Sequence, residues 1–421
     1  MKRQTGRMTR RGFLKGAATA GAVSIVPRHV LGGPGKPPPP SDTLTAGLIG
    51  CGGQGGEDLR TYVDARGGKY KVLAACDVDY NRLARAKKKF GEQVELYPDW
   101  RRVIERKDID IVSIATPPHW HALMCIAAAQ AGKDILCEKP MTRFIAEGRA
   151  VVTAVKRYRR VFQIGTGGRF GAYRSPTSRE IHKIMSSGLI QKDCPAVYIK
   201  KGGFPVQHYC GKVNLKPQPV PEHLNWDMYC GPSPLRPYNP HRFGWSHRYY
   251  WDYEGGGLAD FAQHHMDPFQ WIYAKDHTSP VAVEAHAAPQ HPEACGVWAW
   301  VELTYADGMT LVLEGNKWGP RYDRKEARRV RLSDLDEEGR KKVEAMPDPE
   351  PLLHFPEAVK TRKEAGGHVE AAHRAITIAH LANIAIRVGR KIKYDPVKEE
   401  IVGDEAANRL AYQPMREPWH V

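Results

Sequence analysis

At 421 residues, with 42% hydrophobic and 26% charged residues, the chain has the composition of a soluble globular protein and is too long for one ordinary core. Its net charge of +16 points to an anionic partner, but half of that charge lies in residues 1–36, which hold eight basic residues and no acid. The rest is scattered, which excludes a nucleic-acid-binding surface as the working assumption.

The segment Thr9-Arg10-Arg11-Gly12-Phe13-Leu14-Lys15 is a twin-arginine pattern, followed by a mildly apolar run from Gly16 to Val26. That run is too short to span a bilayer. Such signals are read by machinery that exports folded proteins, so residues 1–36 predict a signal peptide and a periplasmic location. A disordered basic tail is the alternative. Pro37-Pro38-Pro39-Pro40 makes residues 37–42 a stiff linker.

From Leu44 onward, short apolar runs alternate with helical stretches. Strands are predicted at 44–49, 70–76, 109–115, 134–137 and 161–164. Helices are predicted between them, through Tyr62, at 81–90, 119–131 and 144–158. This alternation predicts an α/β fold with a doubly wound parallel sheet over residues 43–165. After Gly165 the character changes. Residues 202–256 are rich in Pro, Trp, Tyr and His. Strands at 281–286, 297–305 and 309–314 then follow without intervening helices, with a hairpin turn at Ala306-Asp307-Gly308. A late helix is expected over 368–388. Residues 166–421 therefore predict a second α/β domain with an open, mainly antiparallel sheet. Of the eight cysteines, Cys51, Cys76, Cys125 and Cys137 read as small buried hydrophobes, and a bridge among Cys194, Cys210, Cys230 and Cys295 is open. No C-x-x-C occurs, so no metal site is expected.

Three motifs carry chemistry. Gly50-Cys51-Gly52-Gly53-Gln54-Gly55 lies between a predicted strand and helix, and Asp77 ends the next strand 22 residues after Gly55. Gly50 permits a tight turn, Gly52 admits a pyrophosphate, and Gly55 allows close helix–strand packing. The helix N-terminus favours phosphate. A carboxylate at Asp77 accepts hydrogen bonds from ribose and repels a 2′-phosphate, which favours NAD over NADP. Glu138-Lys139-Pro140 also ends a strand, where open parallel sheets bind ligands. Lys139 is there either a group that holds a substrate hydroxyl or an ordinary surface lysine. In Gly255-Gly256-Gly257 to Asp267, the residues Asp260, His264 and Asp267 share one helix face. They form either a site with His264 as base and Asp260 as its partner, or the acidic first turn of a helix with a satisfied core histidine. Thr116, Pro117, His119 and His121 end a further strand and suggest cofactor or substrate positioning. Two histidines at i, i+2 do not share a helix face, so zinc is not expected.

With these segments together, the chain resembles the glucose–fructose oxidoreductase / inositol dehydrogenase (Gfo/Idh/MocA) family over residues 43–421, with the look of an exported branch. The carrying segments are Gly50 to Gly55, Ala115 to Ala122, Cys137 to Met141 and Asp260 to Asp267. The resemblance implies Lys139 as the catalytic lysine, His264 as acid/base and Asp260 as its partner. It also implies a homo-oligomer built through the C-terminal sheet. Ala262 and Gln263 depart from the glycine that many relatives carry near this aspartate, and His265 leaves the base open by one position.

Two kinds of chemistry follow. One is an NAD-dependent oxidoreductase acting on a secondary hydroxyl of a sugar or polyol. The other is a redox-assisted glycosidase or epimerase with a tightly bound, internally recycled NAD. A non-catalytic sugar-binding protein is the third reading. Export to a compartment poor in free NAD favours a cofactor that stays bound.

Overall fold

In the computed structural model, residues 42–190, 194–324 and 326–421 are described; the twin-arginine segment and nearly all of the proline linker lie outside them. The first half runs β1 (Thr43–Ile49), α1 (Gln54–Tyr62), β2 (Lys69–Cys76), α2 (Tyr80–Phe90), β3 (Glu95–Tyr97), α3 (Trp100–Glu105), β4 (Ile111–Ile114), α4 (His121–Gln130), β5 (Asp134–Cys137), α5 (Ile145–Arg157) and β6 (Phe162–Ile164). These strands form one parallel sheet in the order β3-β2-β1-β4-β5-β6. Strands β4 and β5 are buried at every position, as strands covered on both faces must be. The strand order reverses between β1 and β4. That reversal opens a crevice at their carboxyl ends, where both the glycine loop and Thr116 lie.

The expected helix over 119–131 starts later, because Pro118–Trp120 forms a single 3₁₀ turn before α4. Strand β3 and helix α3 escaped the sequence reading: at three and six residues they are too short for periodicity to mark them.

The second half continues with α6 (Gly168–Arg174), α7 (Pro176–Ser186), β7 (Val197–Phe204), α8 (Trp226–Cys230), α9 (Gly256–Ile272), β8 (Ala282–Ala287), β9 (Trp298–Thr304), β10 (Thr310–Gly315), α10 (Glu337–Ala345), α11 (Phe355–Thr361), α12 (Val369–Val388), β11 (Ile392–Asp395), β12 (Glu400–Ile401) and α13 (Glu405–Asn408). Its sheet has the order β12-β11-β8-β9-β10-β7. All pairings are antiparallel except β7 with β10. One face of this sheet packs on α9 and α12. On the other, Tyr322 packs edge-on to Trp300, the Arg324 guanidinium lies 4.5 Å from the Trp300 ring centre, and Trp318 approaches His286.

The boundary at residue 165 is a boundary in sequence more than in space. Phe355, Ala358 and Ala365 join Leu48, Leu59 and Ile111 in one cluster, so α11 returns to cover the Rossmann sheet. Ile164 N donates to Gly367 O at 3.0 Å. Helix α12 is buried along almost its whole length; it packs against α5, α9 and strand β8, and its buried polar side chains are paired, Glu370 with Arg149 and His373 with Glu399. Residues 205–255 carry only short turns and α8, held by their own aromatic cluster of Trp226, Tyr229, Tyr238, Tyr250 and Tyr253. All eight cysteines are free thiols, and Cys51 is only half-buried. No helix among the described residues is long and apolar enough to cross a membrane.

Candidate active site

The glycine loop follows β1 and turns directly into α1. Gly50 has φ of +95°, and a Cβ there would sit 2.5 Å from Ala115 O. At Gly55 a Cβ would meet Leu48 Cδ1 at 2.4 Å. These two glycines serve the fold. Gly52 and Gly53 leave open space instead: a Cβ at Gly52 would meet only the tip of Arg82, and at Gly53, whose φ is +126°, nothing within 4 Å. No side chain caps the start of α1, so its first N–H groups stay available to an anion.

A pocket opens beside this loop, lined by Gly50, Gly52, Asp77, Thr116, Pro117 and, from the second domain, Met228, Tyr229 and Phe243. The Asp77 carboxylate accepts Cys51 N at 2.7 Å and Asp79 N at 3.0 Å. Burial raises its pKa, partly offset by the nearby Arg82 charge. Uncapped helix, open glycine cradle and buried carboxylate at the end of β2 together fit an adenine dinucleotide. Arg82 and the three second-domain side chains carry no motif, and sequence reasoning missed them.

His119 and His121 do not reach the pocket wall. His119 is buried with Nε2 2.8 Å from Tyr229 O, and His121 is buried with Nδ1 2.9 Å from Pro140 O and Nε2 2.7 Å from Thr116 O. Desolvation lowers the His121 pKa to about 4, opposed by the two carbonyl contacts, each of which favours a proton on its ring nitrogen. Both rings brace backbone: His119 holds the 205–255 segment, and His121 holds the Lys139-Pro140 turn.

Lys139 follows β5 and points across to α9. Its Nζ donates to Asp260 Oδ1 at 2.6 Å and to Asp260 O at 3.0 Å. The Asp260 Oδ2 accepts Tyr209 Oη–H at 2.7 Å, and Arg248 Nε lies 3.1 Å from Oδ1. Burial pushes the Asp260 pKa up, but the Lys139 and Arg248 charges outweigh it and hold the carboxyl well below its usual range. His264, one turn further along α9, is exposed, with protein crowding part of its ring. Desolvation, reinforced by the Lys139 charge and opposed by Asp260, lowers its pKa to about 4. His265 instead packs against the Phe204 and Phe261 rings. Gln263 fixes the register: its Oε1 accepts Met141 N at 3.0 Å and its Nε2 donates to Ala372 O at 3.1 Å. The third residue of the stripe, Asp267, belongs elsewhere. It pairs with buried Arg169 at 2.9 Å and accepts Thr166 Oγ1 at 2.6 Å.

Behind Lys139 stands a second carboxyl, Glu138, which shares the Gln54 amide with Asp58 of α1. Gln54 Nε2 donates to Asp58 Oδ1 at 2.9 Å and reaches Glu138 Oε1 at 3.4 Å. Desolvation, then the Asp58 charge, raises the Glu138 pKa well above its ordinary value, and desolvation takes Asp58 to about 6. Each of the two buried carboxyls disfavours the other's charge. Asp58, Tyr209 and Arg248 had no signal in the sequence beyond their residue type.

Comparison with known proteins agrees with this geometry. Residues 44–166 match the model described as "Oxidoreductase family, NAD-binding Rossmann fold", and residues 175–421 match "Oxidoreductase family, C-terminal alpha/beta domain", the two models of Gfo/Idh/MocA proteins. The chain belongs to the Gfo/Idh/MocA oxidoreductase family. It carries the family's NAD-binding Rossmann domain, and among its relatives are sugar and polyol dehydrogenases. It is 40% identical over 120 residues to a levoglucosan dehydrogenase of Pseudarthrobacter phenanthrenivorans, which is 28% of this chain and 29% of that one. It is 25% identical over 243 residues to an inositol 2-dehydrogenase of Burkholderia cenocepacia, covering 57% and 58%. The matched stretch thus spans less than two thirds of these relatives' own length. Two solved structures share the fold. WlbA dehydrogenase of Bordetella pertussis, in complex with NADH and UDP-GlcNAcA, has a TM-score of 0.54 at 15% identity, over 84% of this chain and 99% of that one. The myo-inositol 2-dehydrogenase of Lactobacillus plantarum has 0.50 at 20% identity, over 84% and 100%.

Proposed function

We propose that this Gfo/Idh/MocA protein oxidises a secondary hydroxyl of a sugar, polyol or sugar derivative, with NAD as the hydride acceptor. The carrying observation is the Lys139 ammonium, fixed by two bonds to Asp260 beside His264 at the carboxyl end of a Rossmann strand. An ammonium has three N–H donors, and the pairing with Asp260 uses two. The third is free to hold a substrate oxygen and lower the cost of removing its proton. His264, neutral at physiological pH, accepts that proton. Asp260 acts by position: it holds Lys139 while Tyr209 and Arg248 hold it. Bound NAD supplies the hydride acceptor; Thr116, Pro117, the glycine loop and Asp77 would hold it.

The rim of the site suits a carbohydrate. Trp245 is 57% exposed, with the Arg248 guanidinium 4.0 Å from its ring centre. Its ring offers an apolar face for a pyranose. The levoglucosan and inositol dehydrogenases among the relatives support the same substrate class. The test is to mix purified protein with sugars and polyols and follow nicotinamide absorbance. Reduction with at least one supports the reading. None with any, with or without an acceptor sugar, defeats it.

Two further parts of the reading concern the whole protein. The twin-arginine segment directs export, and replacing Arg10 and Arg11 by lysine would then leave the protein in the cytoplasm on fractionation. A homo-oligomer forms through the C-terminal sheet, docking on the layer made by Trp318, Tyr322 and Arg324. A monomeric mass in sedimentation would remove that part alone.

A further inference from the structure

A 3₁₀ turn over Gly244–Tyr249 carries Arg248 to the reacting centre. Its guanidinium lies between two carboxylates. Nε stands 3.1 Å from Asp260 Oδ1, the oxygen that also takes the Lys139 ammonium at 2.6 Å, and 4.0 Å from Glu254 Oε2. The Nε–H is not aimed at Asp260, however, and is left without an acceptor. Asp260 does not need it, because its two oxygens already accept Lys139 and Tyr209. Nη1 donates to Trp245 O at 3.2 Å, and the Trp245 ring centre lies 4.0 Å from the guanidinium. No acceptor among the described residues takes Nη2, and the side chain keeps 20% of its surface exposed. Arg248 is thus anchored at the centre with donors to spare. The spacing of those donors is informative. Lys139 Nζ and Arg248 Nε each stand about one hydrogen-bond length from the same oxygen atom. Neighbouring hydroxyl oxygens on a sugar ring are separated by about that same length. Two cations so placed match two such oxygens.

We propose that Arg248 holds the hydroxyl next to the one that is oxidised, so that this site selects a vicinal diol. The inference rests on the sugar or polyol reading above and narrows it. Lys139 and His264 take the reacting hydroxyl, and Nη2 of Arg248 donates to the oxygen on the adjacent carbon. That second hydroxyl keeps its proton; it fixes which carbon faces the hydride acceptor. A guanidinium presents its N–H groups in a rigid planar fork, which defines the place of a second oxygen better than another flexible ammonium would. Trp245, packed on the same guanidinium, limits its swing. The charges favour neutral hydroxyls over a sugar acid: Lys139 and Arg248 face Asp260 and Glu254, two cations on two carboxylates, which leaves no surplus positive charge for an anionic group.

The test reads a ratio, because Arg248 also touches Asp260 and its loss should slow every substrate. The sugar or polyol that full-length protein oxidises fastest with NAD is compared with its monodeoxy analogues, each lacking one hydroxyl beside the oxidised carbon. Wild type should lose about 10- to 100-fold in kcat/KM with one of these analogues, the span expected when a hydrogen bond from a charged donor is lost. In Arg248→Met the parent and that analogue should become nearly equal substrates. A disturbed Asp260 alone would slow both and leave the ratio as in wild type. Binding of methyl glucopyranoside and its monodeoxy forms, followed by saturation-transfer NMR on both proteins, reads the same preference where no hydride moves. Wild type that treats every adjacent deoxy analogue like the parent, or Arg248→Met that keeps the wild-type ratio, would overturn the assignment of Arg248 and leave sugar oxidation standing. No oxidation of any sugar, with the Arg248-dependent preference still seen in binding, would defeat sugar oxidation and leave the assignment standing.

Discussion

Two alanine substitutions in the same loop should separate what the fold needs from what the cofactor needs. At Gly50 the backbone has φ of +95°, and an added Cβ would lie 2.5 Å from Ala115 O and 2.6 Å from Ala115 C. Those are backbone atoms of the neighbouring strand end, which cannot step aside alone. Positive φ alone costs about 1–2 kcal/mol, and the clash adds to it, so Gly50→Ala should lose about 2–4 kcal/mol of stability. At Gly52 the added methyl meets only Arg82 Nη1 at 3.3 Å and Arg82 Cζ at 3.9 Å, the far end of a flexible side chain. Gly52→Ala should therefore stay within about 0.5 kcal/mol of wild type. Its methyl would instead fill space a pyrophosphate needs, weakening NAD by about tenfold or more. Thermal melting without ligand and NAD titration by calorimetry measure the two quantities on each variant. Wild-type NAD affinity in Gly52→Ala would refute the assignment of this loop as the phosphate cradle. Wild-type stability in Gly50→Ala would refute the packing argument.

Other outcomes follow from the site. Lys139→Met removes the ammonium but keeps the stem; turnover should fall about 10²–10⁴-fold while NAD affinity is unchanged, checked by initial rates beside a binding titration. With the His264 pKa lowered to about 4, the base stays unprotonated through the usual histidine range. The acid limb of kcat/KM should then lie near pH 4, and a limb at the ordinary histidine value would exclude His264 as base. Buried His121 has a folded pKa of about 4 against an ordinary 6.5. The unfolded chain therefore binds its proton first, so stability is full above about pH 6.5 and falls as pH drops toward 4, by about 3 kcal/mol for this ring; chemical denaturation at stepped pH checks the slope. Arg169→Met strips buried Asp267 and partly exposed Asp276 of their cation. It should cost about 3–5 kcal/mol in denaturant melts.

Much of the site was legible because its parts are local. A strand, a glycine turn and a helix start lie within 20 residues, so Gly50 to Gly55 declares itself, and so does Lys139 at a strand end. The i, i+4 spacing of Asp260 and His264 put both on one side of α9, but it could not exclude Asp267, which the fold sends to Arg169. What the sequence concealed is long-range. Tyr209 and Arg248 reach Asp260 from a segment without periodic structure, and Asp58 meets Glu138 across 80 residues. The histidines at 119 and 121 read as ligand contacts because they end a strand. In the structure they are braces, since a buried imidazole serves a backbone carbonyl as readily as a substrate. Strand β7 pairs in parallel with β10 across more than 100 residues, and no local pattern encodes that choice.

The most direct test of the account is a single-turnover experiment on NAD-loaded protein. Wild type and Lys139→Met are each mixed with a panel of sugars and polyols, and nicotinamide absorbance is followed. The account predicts that wild type reduces up to one equivalent of bound NAD with at least one of these substrates and that Lys139→Met does so at least about a hundredfold more slowly. Equal rates in the two proteins, or no reduction in wild type with any member of the panel, would contradict it.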